Sequence, residues 1–552
     1  MAVRSYFYFC GILFFIAADF IFAFSWQRDS AYLNIRLNDD TTSQIQNEEQ
    51  IVMNPKDTTN MVAVWRDFRL GYRQVAYAYT FDGGLTWEQA LFEEPQYIWD
   101  SDPGLTVDTA GNFYAVILSF NSTSEPNGLF VYKSTDGGVS WSGPVTVING
   151  VAGVFEDKEL IACDRSGGPY TNNLYVAWTR FYTTQILLCR STDGGNSFVG
   201  PVTVSDNTGV QWPVPAVGPN SELYVAWLDY SPGALKLDLS TDGGQTFGSD
   251  RVIQNVSFVQ GYINGSITVF SFPAMDVDIT GGPNNGNIYV AYMDYSSGYT
   301  DTDIYFTRST DGGNTWSTKV RINDDPQNNG CDQFHPWLTI TPDGDIVVVF
   351  LDRRLDPQNL LMDLYLTTST DGGLTWSANE RITTVSSDPT AGFRSLPRDI
   401  SAEDQPLILA QRAGLIGEYI GVTASSLEDI HPIWTDTRLG DQDAFVGVKD
   451  TAAQYAEEYQ RTHLESSVLS ILPNPSSGNI TIKIQGYDGH HPKTNHLRIF
   501  DISGRLIKTY SDVGSTVVWN RYTDDGEFAR SGVYFCSLMV DGTVITRKFL
   551  LF

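Results

Sequence analysis

Short runs of alternating apolar and polar residues fill most of the chain, and this pattern predicts strands with one buried face. Ile288 to Asp294 is one such run, and a turn separates it from a second, Asp303 to Arg308. Another short run precedes each pair, and a fourth follows, as in Lys319 to Ile322. Four of the leading runs open with a proline, which a strand tolerates at its first position: Pro103, Pro213, Pro273 and Pro336. Each group therefore predicts four antiparallel strands.

An eight-residue pattern centred on Asp-Gly-Gly occurs six times, between the third and fourth predicted strands of a group. Asp-Gly favours a hairpin turn, because glycine takes a positive φ without strain and the carboxylate accepts hydrogen bonds from the loop N–H groups. We therefore expect six structural aspartates: Asp82, Asp136, Asp193, Asp242, Asp311 and Asp371. Four-stranded units repeated along a chain are typical of propeller blades.

The pattern predicts an all-β fold, with a seven-bladed β-propeller over residues 30–450. A seventh group, from about Glu418 to Val448, has neither the Asp-Gly-Gly turn nor a fourth strand. The run from Tyr32 to Asn38 resembles the fourth strand of another group. We expect this N-terminal strand to complete the seventh blade and close the ring, which removes open sheet edges.

The six turns resemble the Asp boxes of sialidase-like propellers, a family with both glycosidases and non-catalytic members. If the chain is an enzyme, the resemblance implies a glycoside hydrolase of the exo-α-sialidase type. Sialidases hold a carboxylate with three arginines and use an Asp acid and a Tyr nucleophile supported by Glu. Glu418 and Tyr419 are adjacent here, but successive strand residues point to opposite sides, so the Tyr–Glu pair is not located. The family's Phe/Tyr-Arg-Ile-Pro motif is absent, and Phe393 to Pro397 is only a loose, interrupted match to it.

Three Asp-x-Arg corners between second and third strands supply candidate arginines in blades one, six and seven, which are neighbours across the ring closure. A guanidinium binds a carboxylate through two parallel hydrogen bonds. The predicted substrate-binding arginines are Arg69, Arg354 and Arg438. In the alternative interpretation each arginine pairs with the aspartate of its own corner: Asp67, Asp352 and Asp436.

The loops between blades lie on the same predicted face as these corners, opposite the Asp-Gly-Gly turns. Glycosidases need an acid and a second group as nucleophile or base. Asp157 and Asp332 are the catalytic candidates in these loops, and Trp212 is a candidate for substrate binding. Alternatively, the loop acids are merely solvated surface residues.

The C-terminal residues 468–552 differ from the repeats. Their landmarks include Leu472 to Asn479, Ile499 to Arg505, Trp519 to Gly526 and the final Thr546 to Phe552. They resemble the type A sorting domain of the type IX (Por) secretion system, which implies a small immunoglobulin-like sandwich and the outer-membrane secretion machinery as a partner. A plain accessory sandwich is the alternative. Residues 451–467 read as a linker.

The N-terminus reads as a signal peptide over residues 1–25, with Arg4 before an apolar run and small residues for cleavage; an uncleaved anchor is the alternative. The formal charge of −30 argues against a nucleic-acid partner. Cys163 and Cys189 are predicted two strands apart, too far for a disulfide. We expect no metal and no cofactor. The alternative is structural calcium, which the Asp301–Asp303 loop could hold through oxygen ligands, although it lacks a complete ligand pattern.

Three hypotheses for function follow. The first is a secreted or cell-surface sialidase-like propeller that binds glycans at its inter-blade face and, in its stronger form, hydrolyses them as an exo-glycosidase. The second is a non-catalytic binding or adhesion propeller at the cell surface. The third is a hydrolase of another polymer.

Overall fold

The computed structural model describes residues 30–93, 95–121, 126–391 and 416–449, together with residues 469–474, 476, 478–484, 496–502, 505–511, 513–540 and 543–552. Three segments named above lie outside these residues: the predicted signal peptide, the linker and the partial motif match at Phe393–Pro397. The described part is β-structure with one short 3-10 turn, Asn264–Ser266. None of its helices is long and apolar enough to cross a bilayer.

The described residues between 32 and 449 form seven four-stranded antiparallel sheets, named blades one to seven. Blade seven contains β1 (Tyr32–Arg36), and blade one begins with β2 (Gln46–Asn54). Blade one continues with β3 (Asp57–Asp67), β4 (Gln74–Thr80) and β5 (Glu88–Leu91). Blade two has β6 (Trp99–Val107), β7 (Phe113–Phe120), β8 (Asn127–Ser134) and β9 (Ser142–Asn149). Blade three has β10 (Phe155–Cys163), β11 (Leu174–Phe181), β12 (Gln185–Ser191) and β13 (Val199–Thr203).

Blades four to seven repeat this order, with one insertion. Blade four has β14 (Val210–Val217), β15 (Leu223–Asp229), β16 (Ala234–Ser240) and β17 (Arg251–Asn255). A hairpin of β18 (Gln260–Ile263) and β19 (Ile267–Phe270) follows. Blade five has β20 (Ala274–Val277), β21 (Ile288–Tyr295), β22 (Thr302–Ser309) and β23 (Val320–Arg321). Blade six has β24 (Gln333–Ile340), β25 (Ile346–Asp352), β26 (Asp363–Ser369) and β27 (Glu380–Arg381), and blade seven has β28 (Gly421–Ser426), β29 (Asp429–Asp436) and β30 (Asp443–Lys449).

The ring closes through the N-terminal strand, as the sequence predicts. β1 pairs antiparallel with β30, and Tyr32 lies opposite Lys449. The first strand of each blade contacts the first strand of the next, and β28 contacts β2. Every blade therefore has a neighbour on both sides around a central axis.

The core lies between the blades. Apolar side chains of neighbouring sheets pack together, as where Tyr175 and Ala177 of blade three meet Val225 and Trp227 of blade four. Aromatic residues of the second strands are the largest fully buried side chains, among them Trp65, Trp178, Trp227 and Trp434. This packing holds the first strands rigidly around the axis.

The C-terminal module has its own core and two sheets. One sheet contains β31 (Leu469–Leu472), β32 (Ile480–Ile484) and β35 (Thr516–Trp519). The other orders β34 (Leu506–Ser511), β33 (His496–Asp501), β36 (Gly532–Val540) and β37 (Thr543–Leu551). Trp519, Cys536 and Leu538 are buried in one apolar cluster between them, which is the packing of a small β-sandwich.

Candidate functional site

The first strands of five blades carry a β-bulge at the same level of the axis. The register breaks across the same point in β2, β6, β10, β14 and β24. The residue within each bulge has a left-handed backbone, which is costly for any residue with a side chain. These residues are Glu48 (φ 62°), Asp102 (φ 49°), Lys158 (φ 57°), Trp212 (φ 67°) and His335 (φ 46°). Strain repeated at one level of a fold is typical of a functional region.

Buried ion pairs connect the bulges of blades one to three with blade seven. The Lys158 Nζ lies 2.8 Å from Asp102 Oδ2 and 3.3 Å from Glu418 Oε2. On the other side, Arg66 Nη1 lies 3.1 Å from Glu48 Oε1 and 3.9 Å from Asp102 Oδ1. Three carboxyl groups thus alternate with two cations around the axis, and such groups have strongly altered proton affinities.

Asp102 and Asp157 come from adjacent blades but have opposite pKa shifts. Burial and the negative charge of Asp102 raise the pKa of Asp157 to about 7. Burial alone would raise the pKa of Asp102, but the ammonium group of Lys158, a hydrogen bond with Glu48 and the charge of Arg66 together outweigh burial and hold that pKa below its usual value. Asp157 therefore keeps a proton near neutral pH while Asp102 is ionised, which is the division expected of an acid and its anionic partner.

Glu48 and Glu418 repeat this division on the other side of Asp102. Burial raises the pKa of Glu48 well above its usual value, despite the nearby Arg66. At Glu418 burial would raise the pKa, but the ammonium group of Lys158, a hydrogen bond with Glu48 and the charge of Arg66 together lower it. Two ionised carboxylates then balance the two cations, so the buried cluster carries little net charge.

A cleft of about 420 Å³ opens beside this cluster, on the face that carries the loops between second and third strands. Its lining combines charged groups with aromatic rings: Arg66, Arg73, Asp102, Asp157, Lys158, Glu418, Leu118, Phe120, Phe155, Phe181, Tyr182, Gln211, Trp212 and Phe270. Clefts with a few converging polar groups among apolar ones are typical of small-ligand sites.

Trp212 forms the aromatic side of the cleft near the axis. Its ring stacks on Phe272 at 5.1 Å and contacts Phe270 at 4.7 Å. The Lys158 Nζ lies 5.0 Å from the Trp212 ring, and the indole N–H donates to the Tyr230 hydroxyl at 3.2 Å. These contacts hold the indole in one orientation at the wall of the cleft.

Two arginines give the cleft a positive end. Arg66 is buried, and its Nη2 has no hydrogen-bond partner among the described residues. Within the same part of the chain Arg73 makes no ion pair, and its guanidinium lies 5.5 Å from the Phe120 ring. Burial and the adjacent charge of Arg66 lower the pKa of Arg73 to about 10. A negatively charged ligand group would offset the repulsion between Arg66 and Arg73. It would also accept a hydrogen bond from the Arg66 Nη2.

Of the predicted site residues, Asp157 and Trp212 line the cleft and Asp332 does not. Asp332 accepts hydrogen bonds from the Thr302 backbone at 3.1 Å and from Asn359 Nδ2 at 2.7 Å, between blades five and six. These bonds connect two loops. The catalytic role of Asp332 stays a prediction without support from its position.

None of the three corner arginines lines the cleft. Each forms an ion pair of 2.7 Å with the aspartate of its own corner: Arg69 with Asp67, Arg354 with Asp352 and Arg438 with Asp436. Arg438 also donates to Asn34 of β1 at 2.9 Å. The described geometry is that of the alternative interpretation, in which the corners are structural pairs, and their ligand-binding role stays a prediction.

The Asp-Gly-Gly turns lie at the opposite face and are closed as predicted. In blade two the hydroxyl of Ser134 donates to Asp136 Oδ1 at 2.8 Å, and the Ser140 N–H donates to the same oxygen at 2.9 Å. Gly137 and Gly138 have φ values of 80° and 96°. Equivalent bonds hold the other five aspartates.

The four cysteines after residue 150 are free. Asp301 accepts a bond from the Gly330 N–H, and Asp303 pairs with Arg321. Among the described residues, no group of three or more His, Cys, Asp or Glu side chains is arranged to hold a metal ion. Calcium binding at this loop has no support in the geometry.

Arg66, Arg73 and Lys158 line the cleft but were not predicted from the sequence, and Glu418 and Tyr419 were predicted to point to opposite sides. Residues 416–420 do not form a strand, so the expected alternation of side chains does not apply, and Lys158 contacts both. Burial raises the pKa of Tyr419 well above its usual value, so its phenol is protonated. One signal was available: Asp102, Trp212 and His335 each stand directly before a proline. The prediction that Pro103, Pro213 and Pro336 open their strands is wrong, because each lies inside its first strand, in the bulge that interrupts the pairing.

The C-terminal module matches a family model. Residues 470–551 match the model described as "Secretion system C-terminal sorting domain". No curated protein matches the chain.

Solved structures similar to this chain include carbohydrate-active proteins of low sequence identity. The leech intramolecular trans-sialidase is 12% identical, with 61% of this chain and 69% of that chain covered and a TM-score of 0.44. The intramolecular trans-sialidase of Ruminococcus gnavus is 12% identical, with coverages of 55% and 89% and a TM-score of 0.41. The α-L-arabinofuranosidase of Fusarium graminearum is 14% identical, with coverages of 58% and 93% and a TM-score of 0.39.

The predicted sorting module is confirmed by the family match, and the sheets before it form a propeller. The chain is therefore a β-propeller protein that carries a Por (type IX) secretion sorting domain and is directed to the extracellular space or the outer-membrane surface.

Proposed function

We propose that this protein is an exported glycan-active propeller that binds an acidic sugar in the axial cleft and hydrolyses its glycosidic bond. One observation carries the proposal: Asp157 and Asp102 have opposite pKa shifts within a cleft that also presents two incompletely paired arginines. Paired carboxyl groups with separated pKa values are the machinery of glycoside hydrolysis.

The anionic group of the sugar binds at the positive end of the cleft. Arg66 offers an unused Nη2 and Arg73 a guanidinium without an ion pair in the described chain. A carboxylate there accepts parallel hydrogen bonds from a guanidinium fork, which sets the position of the sugar ring. Trp212 lines the same cleft, and its substrate-binding role stays a prediction, because only 2% of the residue is exposed.

Asp157 acts as the general acid. Its proton passes to the glycosidic oxygen as the bond from that oxygen to the anomeric carbon breaks. Water then adds its oxygen to the anomeric carbon and returns a proton to Asp157, so one water is consumed for each bond cleaved. The ionised Asp102 stabilises the positive charge of the transition state at the sugar.

The test is sugar release by the purified exported protein from a panel of sialylated, uronic-acid and neutral glycosides. Asp157→Asn should lower the rate at least about 100-fold, the usual worth of a general acid. Arg73→Met should weaken binding of the acidic substrate. Asp343→Asn and Arg190→Met are the matched controls, since neither residue lines the cleft.

Two other results have clear meanings. Binding of an acidic glycan without release of sugar would establish the non-catalytic binding propeller instead. Release that is unaffected by Asp157→Asn would place the chemistry outside this cleft.

A further inference from the structure

In blades two and three, the pairing of the first two strands extends further towards the cleft face than in blades one, four and six. In blades one, four and six, the pairing of these strands ends at the aspartate that is the last residue of the second strand. The terminal pairs there are Gln46 with Asp67, Val210 with Asp229 and Gln333 with Asp352. Counted from the bulge, Ser119 and Arg180 occupy the position of this aspartate in blades two and three.

Each of these two blades then adds one more cross-strand pair, and both pairs are aromatic. Trp99 lies opposite Phe120 in blade two, and Phe155 lies opposite Phe181 in blade three. The Phe120 ring meets Trp99 and Phe155 edge-on, with both centroids 5.7 Å away. The two added pairs thus form one continuous aromatic surface across two blades.

Three residues of this surface, Phe120, Phe155 and Phe181, line the cleft. Five of the lining residues are Leu118, Phe120, Phe155, Phe181 and Tyr182, which we call the apolar wall. Tyr182 is 66% exposed and has a φ of 73°. Tyr182 stands in the turn between β11 and β12, which places its ring at the open side of the cleft.

The apolar wall adjoins the acid. Phe155 and Asp157 are two residues apart on β10, so they lie on the same face of the strand, about 7 Å apart. Both line the cleft. A group attached to the oxygen that receives the Asp157 proton therefore lies within reach of the apolar wall.

We propose that the apolar wall binds an apolar aglycone, so that the substrate is an acidic sugar linked to an aryl or alkyl group rather than to another sugar. This inference rests on the proposed function. A sugar in that place would need partners for several hydroxyls, but the five wall side chains offer a single hydroxyl, that of Tyr182. Leaving sugar hydroxyls unmatched costs free energy, whereas covering an apolar group gains it.

The first experiment compares one acidic sugar joined to three leaving groups: 4-methylumbelliferone, octanol and lactose. The purified exported protein should favour one apolar glycoside over the lactoside by at least about tenfold in kcat/KM. Comparison of the 4-methylumbelliferyl glycoside with the octyl glycoside shows whether the apolar wall prefers an aryl or an alkyl group. Phe155→Ser should remove this preference, measured as the ratio of kcat/KM for the apolar glycoside to kcat/KM for the lactoside. Tyr182→Ser is a second variant, because its exposed side chain does not support the core.

Phe81→Ser is the control, since Phe81 is 52% exposed in an Asp-Gly-Gly turn at the opposite face. It should leave the preference intact. Equal rates for the three glycosides, or a preference for the lactoside, would overturn the proposal. An equal loss for all glycosides in both wall variants would do so as well.

A binding measurement separates this inference from the proposed function. Free 4-methylumbelliferone and octyl glucoside are titrated against the protein while tryptophan fluorescence is followed. Binding that the wall variants lose, without hydrolysis of any glycoside, supports the apolar wall and contradicts the proposed function. Hydrolysis of the lactoside without binding of either probe supports the function and contradicts the wall.

Discussion

The ammonium group of Lys158 lies 2.8 Å from the carboxylate of Asp102, and both residues stand in left-handed bulges of adjacent blades. The pair joins blades two and three at the axis. Lys158 helps to keep Asp102 ionised, and the charge of Asp102 adds to burial in raising the pKa of Asp157. The acid–anion division in the cleft depends on this contact.

Removal of this cation should destabilise the propeller. Lys158→Met leaves Asp102 and Glu418 buried without their shared partner, which costs about 3–5 kcal/mol. Thermal and urea unfolding measure the loss. The control is Lys508→Met, since Lys508 pairs with the half-exposed Asp524 and should contribute no more than about 1 kcal/mol. Equal melting temperatures for wild type and Lys158→Met would contradict the buried pair.

The rate of sugar release should depend on the proton of Asp157. Since the pKa of Asp157 is about 7, the rate should fall as pH rises through that value and the acid ionises. The same raised pKa means that the folded state binds a proton that the unfolded chain has already lost. The contribution of Asp157 to the free energy of unfolding should therefore decrease as pH rises from about 4 to about 7. A flat kcat/KM profile from pH 5 to pH 9 would exclude Asp157 as the acid.

The Asp-Gly-Gly turns should contribute to stability above acid pH. Hydrogen bonds from Ser197 hold the pKa of Asp193 at about 2, below the ordinary value of 3.8. A depressed pKa stabilises the fold at pH values above 4, and this contribution is lost as pH falls from about 4 to 2. Asp193→Asn should therefore melt below wild type at pH 7, and the difference should shrink at pH 2. A melting-temperature difference that is the same at pH 7 and pH 2 would show that the charge of Asp193 does not stabilise the turn.

The N-terminal strand should be essential to the ring. Deletion of residues 31–39 removes the buried side chains of Tyr32 and Leu37 and exposes the edge of β30. Burial of two such side chains is worth about 3–6 kcal/mol, so the melting temperature should fall sharply. Substitution of exposed Thr42 by Ala in the following loop is the control. An unchanged melt for the deletion would mean that another segment closes blade seven.

The sorting module should be needed for export and not for folding of the propeller. Its core contains residues 469–551 alone. A chain truncated after residue 465 should give a folded propeller that stays inside a type IX-competent host, as measured by immunoblots of cells and medium. Wild-type amounts of truncated protein in the medium would contradict the sorting role.

The sequence determined the elements that depend on neighbouring residues. Asp193 closes its turn with Ser191 and Ser197, all within one eight-residue pattern, so the turns and the four-strand repeat could be predicted from local chemistry. The missing fourth strand of blade seven likewise indicated that β1 closes the ring. Asp157 and Trp212 could be placed on the correct face, because strand order alone decides which loops lie together.

Only the tertiary structure decided which side chains meet at the axis. Glu418 lies 260 residues from Lys158 in the chain, and Arg66 reaches Asp102 from another blade. No local pattern encodes such contacts, since they depend on the bulge that turns each first-strand residue inward and on the closure of seven blades. The corner arginines show the converse, because their conspicuous Asp-x-Arg spacing is satisfied within each corner and leaves the cleft to Arg66 and Arg73.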